Sequence, residues 1–386
     1  MPQPTTSALP PEPWTEKVDT QAMIAGVLLS FIGIATFLLM PQLVESVVTD
    51  WRYTESEGGW MSSAVMIGSM VAAGTSSLWI RRISWRRAAV LSLLGQLAAN
   101  AAGLLLQDPY AFIALQAVVG FCGGALYSLS LTILSDGKRP DRYFAYAVGA
   151  QTVYQVFALA AGPFLIHHGT RSILILFATL CLFGLILARW VPTQGRVTSS
   201  DTAPARLMSL PVILTLAGCF VFYVNIGAYW TYIERIGTTA GLSLSQTSNA
   251  LALGVVLSMA GVLLAYWLGD RRGFLLPIIG SALTIIVSMI LLTGQLHLTA
   301  YTLSAVLYAI AWNISMTYQY STINIVDQTG RGVALAPAFH WAGGAVGPAI
   351  ASAVVTAQNH DSVYWIVATA VLISSLLFAG ALKLSK

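Results

Sequence analysis

The sequence predicts an all-α integral membrane protein, with twelve transmembrane helices in two six-helix bundles related by an internal repeat. Three observations carry that expectation. Of the 386 residues, 56% are hydrophobic and only 9% are charged, against about 25% charged in an ordinary soluble domain, so most of the outer surface must be solvated by lipid. The apolar residues fall into twelve runs, each close to the roughly 20 residues a helix needs to cross the hydrocarbon. Landmarks of the first half return in the second at an offset of roughly 190 residues. Glu45 is matched by Glu234, Arg81-Arg82 by Arg271-Arg272, Tyr127 by Tyr318, and the Gly162-Pro163 step by Gly347-Pro348.

Residues 1–20 carry five prolines and mixed charges and read as a disordered cytoplasmic leader. They lack the basic start, short apolar run and small-residue cleavage site of a signal peptide. The first bundle, 21–192, holds spans at 21–47, 58–80, 87–106, 109–134, 143–166 and 170–192. A polar cytoplasmic linker, 193–209, separates it from the second bundle, 210–386, with spans at 210–233, 245–268, 274–293, 298–325, 332–356 and 362–383. The runs are continuous, unlike the short alternating strands of an outer-membrane barrel. With the N-terminus inside, sixteen basic residues fall on the inner side and three on the outer, so the positive-inside bias puts both termini in the cytoplasm. Such a chain belongs in a bacterial cytoplasmic (inner) membrane, as a monomer.

The formal net charge of +4 sits in short clusters between spans, without the aromatic-interleaved basic surface of a nucleic-acid binder. Cys122, Cys181 and Cys219 fall inside spans with no paired spacing and read as small buried hydrophobes. No phosphate loop, HExxH or GxSxG motif is present, so neither an enzyme nor a cofactor or metal site is expected. The outer loop after the first span, with Asp50, Glu55 and Glu57, reads as a solvated acidic loop.

On these features the chain resembles the major facilitator superfamily, whose members carry two six-helix halves, a cytoplasmic linker and inward termini. The family's inner loop signature, Asp-Arg-x-Gly, is met by Asp270-Arg271-Arg272-Gly273. The first half keeps the basic residues Arg81 and Arg82 without the Asp or Gly. The Gly-Pro step of the fifth helix is present as Gly162-Pro163. Where the family often places an Arg four residues before a Gly in its fourth helix, this chain has Gln116 before Gly120. The resemblance implies alternating access, with the inner loops latching the halves.

A substrate site must come from polar and aromatic residues near mid-span, because lipid cannot pair with them. Candidates are Gln151, Tyr154 and Gln155 in the fifth span, and Tyr223, Asn225 and Tyr229 in the seventh. The tenth span adds Tyr308, Trp312 and Asn313, with Tyr318 and Tyr320 nearer the cytoplasm, and the eleventh adds His340. For any one of them an interhelical hydrogen bond or an interfacial anchor is the competing reading. No Arg or Lys lies mid-span, so the expected solute is small, organic, neutral or weakly charged, and partly apolar or aromatic. The function expected is secondary active or facilitative transport of that solute. The alternative is a membrane receptor or scaffold that kept the fold.

Counting back seven residues from each Gly-Pro step sets His340 opposite Gln155. His340 is therefore a candidate substrate ligand and the candidate carrier of a coupled proton, since imidazole titrates near 6.5 and no mid-span Asp or Glu is apparent. At the outer ends of the first helix of each half, Glu45, Glu234 and Arg235 read as an outer gate. Glu45 would pair with Arg235 across the halves, an exposed pair worth about 0–1 kcal/mol.

Overall fold

A computed structural model describes residues 15–195, 209–269, 271–327, 331–357 and 359–385, and their regular structure is helical. The first half runs α1 (Glu16–Leu38), α2 (Met40–Thr49), α3 (Glu55–Trp79), α4 (Trp85–Gly103), α5 (Pro109–Ser135), α6 (Pro140–His167) and α7 (Thr170–Leu187). The second runs α8 (Leu210–Thr239), α9 (Leu244–Leu257), α10 (Met259–Leu268), α11 (Leu275–Ile290), α12 (Leu298–Val326), α13 (Arg331–Ser352) and α14 (Asp361–Leu384). Only Leu39 separates α1 from α2, and only Ser258 separates α9 from α10. The fourteen helices therefore make one rod for each predicted span. Among the described residues, eight stretches are by themselves long and apolar enough to cross a membrane. We call the end of the molecule holding the start of α1 and the end of α14 the termini side, and the opposite end the far side.

Two features differ from the sequence reading. Residues 16–20, expected in the leader, are helical: Thr15 caps α1 by accepting from the Val18 amide (3.3 Å), with Glu16 and Asp19 in the first turn where helix N-termini favour acids. Residues 1–14 lie outside the described set, as do 196–208 of the linker. The loop after the first span is not a solvated acidic patch. Asp50 accepts from the Thr170 amide at 2.8 Å, Glu57 closes a capping box with Thr54, and Glu55 is buried.

Proline breaks the helices where polar groups are then needed. Pro41 has no N–H, so the carbonyl four residues back, Phe37, loses its helical donor. Trp230 of the other half supplies one, Nε1 to Phe37 O at 2.9 Å. Pro163 frees the Leu159 carbonyl in the same way, and Gln42 Nε2 donates to it at 2.8 Å. Gly162 makes the room, for a Cβ there would fall on the Gln42 amide. The break at Ser258 has no proline. There Asn313 Nδ2 donates to the Ser258 carbonyl at 3.1 Å, a side chain inserted into the backbone ladder.

Each half packs chiefly on itself, and the halves meet through α3 against α13, α6 against α9, and α2 against α8. The first two contacts are one contact made twice, since the repeat maps α3 onto α9–α10 and α6 onto α13. Large apolar side chains such as Leu105, Phe157, Tyr266 and Leu376 point outward, as lipid-facing positions must. On the termini side Arg81 clamps Asp136 with two bonds, 2.7 and 2.8 Å, and its guanidinium lies over the Trp85 ring. The hydrogen bond to Asp136, against a smaller opposing effect of burial, keeps Arg81 more firmly protonated than an ordinary arginine. Its repeat partner is arranged otherwise: Gly273 adopts φ +67°, Arg271 and Arg272 are exposed, and Asp270 lies outside the described residues.

Candidate functional site

Between the halves lies a cavity of about 450 Å³. From the first half it is lined by α1, α5 and α6, including Phe37, Tyr127, Gln151 and Gln155. From the second it is lined by α8–α10, α12 and α13, including Tyr223, Tyr229, Trp230, Tyr308, Trp312, Asn313, Tyr320, His340 and Trp341. Among the described residues, no Asp, Glu, Lys or Arg is in the lining.

The aromatic side chains are already ordered against one another. Tyr229 and Tyr308 stack with centroids 3.6 Å apart and planes at 14°. His340 stacks on Tyr223 at 4.2 Å and 13°, and meets Tyr320 edge-on at 5.5 Å. Tyr320 Oη lies 3.4 Å from His340 Nδ1, while His340 Nε2 has no protein partner. Gln155 reaches the Leu38 carbonyl at only 3.5 Å, and Gln151 donates to Ser30 Oγ at 3.2 Å. Preformed stacks of this kind cost a planar guest little ordering.

Eight of the ten expected substrate residues line this space: Gln151, Gln155, Tyr223, Tyr229, Tyr308, Trp312, Asn313 and His340. Two do not. Tyr154 turns into the first half and stacks on Phe31 at 5.1 Å. Asn225 is fully buried, donating to the Phe222 carbonyl and accepting from Tyr308 Oη at 2.7 Å. It holds Tyr308 in place from behind. Tyr127, Trp230 and Trp341 join the lining although the sequence reading does not put them there, and Tyr320, read as lying nearer the cytoplasm, joins it too. Tyr127 shows in the sequence only as a repeat landmark, and its counterpart Tyr318 does different work, donating to the Gly269 carbonyl at 2.7 Å. Gln116 lies fully buried within the first half, away from the cavity.

On the far side Arg235 stands between two carboxylates, Nη1 3.2 Å from Glu45 Oε2 and Nε 3.0 Å from Glu55 Oε1. This is a buried triad and not an exposed pair, and the second acid, Glu55, comes from the loop whose charges predict solvation. Thr238 donates to Glu45 at 2.9 Å, Tyr232 Oη to the Glu55 carbonyl at 2.9 Å, and His360 Nε2 lies 3.7 Å from Glu55 Oε2. Burial pushes the Glu55 carboxyl up, but the hydrogen bonds and charges of His360 and Arg235 outweigh it and hold the group below the usual value. Glu234 takes no part in this triad; it accepts from Thr247 and Ser248 of its own half. Ser62 and Thr231 bond across the halves at 2.7 Å. Among the described residues, the hydrogen bonds between the halves lie on the far side.

The sequence pattern of the Major Facilitator Superfamily matches residues 25–326. The chain belongs to that superfamily. It is 23% identical over 345 residues to a Bacillus subtilis (strain 168) protein, NiaP, assigned to niacin/nicotinamide transport, which covers 82% of each chain. It is 26% identical over 370 residues to a chloramphenicol resistance protein of Streptomyces lividans, covering 86% of this chain and 93% of the other. Among solved structures, the nucleoside transporter NupG superposes with a TM-score of 0.75 at 12% identity, covering 95% of this chain and 99% of that one. A D-xylose-proton symporter gives 0.71 at 15% identity, covering 94% and 96%. Members of the superfamily are transporters and not enzymes, and this chain has their helical membrane fold.

Proposed function

We propose that the protein carries a small, neutral or weakly charged organic solute with an aromatic or apolar part across the bacterial inner membrane by alternating access, and that the form described here is open toward the cytoplasm. The observation that carries this is the cavity between the halves, rich in stacked aromatic and amide side chains and free of Asp, Glu, Lys and Arg. An anion would find no cation there, and burying an unpaired charge is costly. The bonds between the halves cluster on the far side, while Val148, Val262 and Met316 extend the lining toward the termini side. With the termini in the cytoplasm, as the basic residues require, that is an outer gate shut and an inner path open.

In this reading Gln151, Gln155, Asn313 and His340 orient the polar end of the solute, while Trp312 and the tyrosines cover its apolar part. Of these four, Gln155 and His340 have the least committed polar atoms. His340 has no acidic neighbour in the cavity to balance an imidazolium, so its surroundings favour a substrate ligand over a proton carrier. Arg235, Glu45 and Glu55 form the outer gate, and Arg81 with Asp136 braces the inner loop.

The relatives' names supply the probes. Nicotinamide and chloramphenicol each join an aromatic ring to an amide and match the lining better than a polyhydroxy sugar does. The test is uptake of labelled nicotinamide, chloramphenicol, uridine, D-xylose and succinate into proteoliposomes holding the purified chain. Saturable flux of an uncharged aromatic solute that Trp312→Ala abolishes is the expected result. Saturable flux of succinate overturns the reading of substrate class. Binding without flux for every solute that binds favours a receptor.

A further inference from the structure

Glu234 is fully buried beside the gate arginine, yet is not bonded to it. Arg235 turns to Glu45 and Glu55, and Glu234 is left with two hydroxyls on one oxygen: Thr247 Oγ1 at 2.6 Å and Ser248 Oγ at 2.8 Å from Oε1. Its Oε2 has no hydrogen-bond partner. A second, independent feature comes from the opposite half. Gln42 is also fully buried, and its amide nitrogen is committed to the Leu159 carbonyl at 2.8 Å and to the same Ser248 hydroxyl at 3.1 Å. A carbonyl can only accept, so the amide is fixed with its nitrogen toward Leu159. Its Oε1 is left buried without a donor.

Two side chains, each with one buried acceptor oxygen left unpaired, thus meet at a single hydroxyl at the seam between the halves. Buried polar groups are ordinarily satisfied, and two unpaired acceptors meeting at one hydroxyl leave room for a donor, a water or an ion. Both orphans are oxygens, so the ligand is a donor or a hard cation. We propose that Glu234 and Gln42 form the binding site of one monovalent gating cation, a proton or a sodium ion, taken up as the outer gate closes. Ser248 and Thr247 complete its shell. The site is whole only when Gln42 of α2 meets Ser248 of α9. Opening the far side parts them and returns Glu234 to water, where it can stand as an anion and release the cation. Closure is then favoured only with the cation aboard. The gating role rests on the transport reading above; the cation site itself does not.

The other charged and titratable groups nearby are committed elsewhere. Glu45 and Glu55 face Arg235, His360 faces Glu55, Tyr301 Oη of α12 donates to the Ile233 carbonyl at 3.0 Å, and Tyr364 of α14 to the Leu292 carbonyl at 3.3 Å. Among the described residues α6, α9 and α13 bring no charged group to the site.

The test reads gate position without any substrate. Ser352 is buried on the far side of α13, close to Gly59 of α3, so Ser352→Cys reports opening by reaction with a membrane-impermeant maleimide applied from outside. The full chain in sealed vesicles also carries His360→Gln, which removes the imidazole beside Glu55. Labelling is followed between about pH 5 and about pH 8 without sodium, and against sodium at the alkaline end, each rate divided by that of Ala240→Cys, exposed on the far side, at the same pH, because maleimide reacts with the thiolate. The expected result is that labelling falls as one of the two cations is raised, and the arm that responds identifies it. Glu234→Gln, an uncharged isostere, should label weakly at every pH and sodium level. Gln42→Leu should keep the response with its midpoint moved about tenfold or more toward higher cation. The proposal is overturned if Glu234→Gln follows the parent curve, if Gln42→Leu leaves the midpoint in place, or if the parent responds to neither cation. A parent that responds but moves no solute sinks the transport reading and leaves the site standing.

Discussion

Arg235 serves two carboxylates at once, and that decides what replacing it does. A cation removed from a buried cluster leaves its partners uncompensated, typically at about 3–5 kcal/mol. Arg235→Gln strands both Glu45 and Glu55, whereas Glu45→Gln leaves Arg235 on Glu55. The expected order of thermal destabilisation in detergent is therefore Arg235→Gln well above Glu45→Gln. Simple reversal of the Glu45–Arg235 pair should not restore the parent, because a glutamate at 235 would face Glu55. Acidity acts on the same cluster. The Glu55 carboxyl is held below its usual 4.5 in the closed form, so the stabilisation it gives is complete above that value and is lost as pH falls through the lowered one. A melting temperature that drops below about pH 4.5 in the parent, and drops less in Glu55→Gln, is the outcome to look for. At His340, Gln keeps one hydrogen-bonding end and Ala keeps none, so apparent affinity should fall more for His340→Ala than for His340→Gln. Equal transport by parent and both variants between about pH 5 and 8 would make the residue structural.

At the scale of the helix, the Gly-Pro step of α6 is a seat for a side chain on α2. Pro163 frees the Leu159 carbonyl, Gln42 occupies it, and Gly162 leaves space for the amide. Gly162→Ala forces Gln42 away and should cost about 1–3 kcal/mol of overpacking. It should also raise labelling at Ser352→Cys, whereas alanine at the solvent-open Gly149, with nothing within reach of its Cβ, should change neither. Much at this scale is legible in the sequence, because span length, the repeat offset and the positive-inside bias are properties of local composition. Contacts between distant residues are not. Glu55 reads as solvated because its partner Arg235 lies 180 residues away. Asn225 shares a helical stripe with Tyr229, which predicts the cavity face, yet spacing cannot show that Tyr308 claims its oxygen. Trp230 and Trp341 have the sequence setting of lipid or interface aromatics, and only the packing of the halves turns them inward.

Over the whole molecule the two ends are unequal: the bonds across the seam gather on the far side, and the cavity lining runs toward the termini. A rocking motion of one bundle against the other must exchange these, since packed interfaces switch between discrete arrangements and do not deform smoothly. Ser62 and Thr231 give the means to block it. Their hydroxyl oxygens are 2.7 Å apart and buried, one on each half, which is near enough for a disulfide of about 2.05 Å to form with small adjustment. With both positions changed to cysteine and oxidised, the outer side should stay shut. Solute flux into proteoliposomes should stop, while binding of the transported solute from the cytoplasmic side persists. Reduction should restore flux to the level of the unoxidised double variant, and Ser62→Cys alone should be insensitive to oxidant. If the oxidised protein carries solute at the reduced rate, with the crosslink verified by mass spectrometry, the seam at Ser62 and Thr231 does not open during transport. The far side is then not a gate.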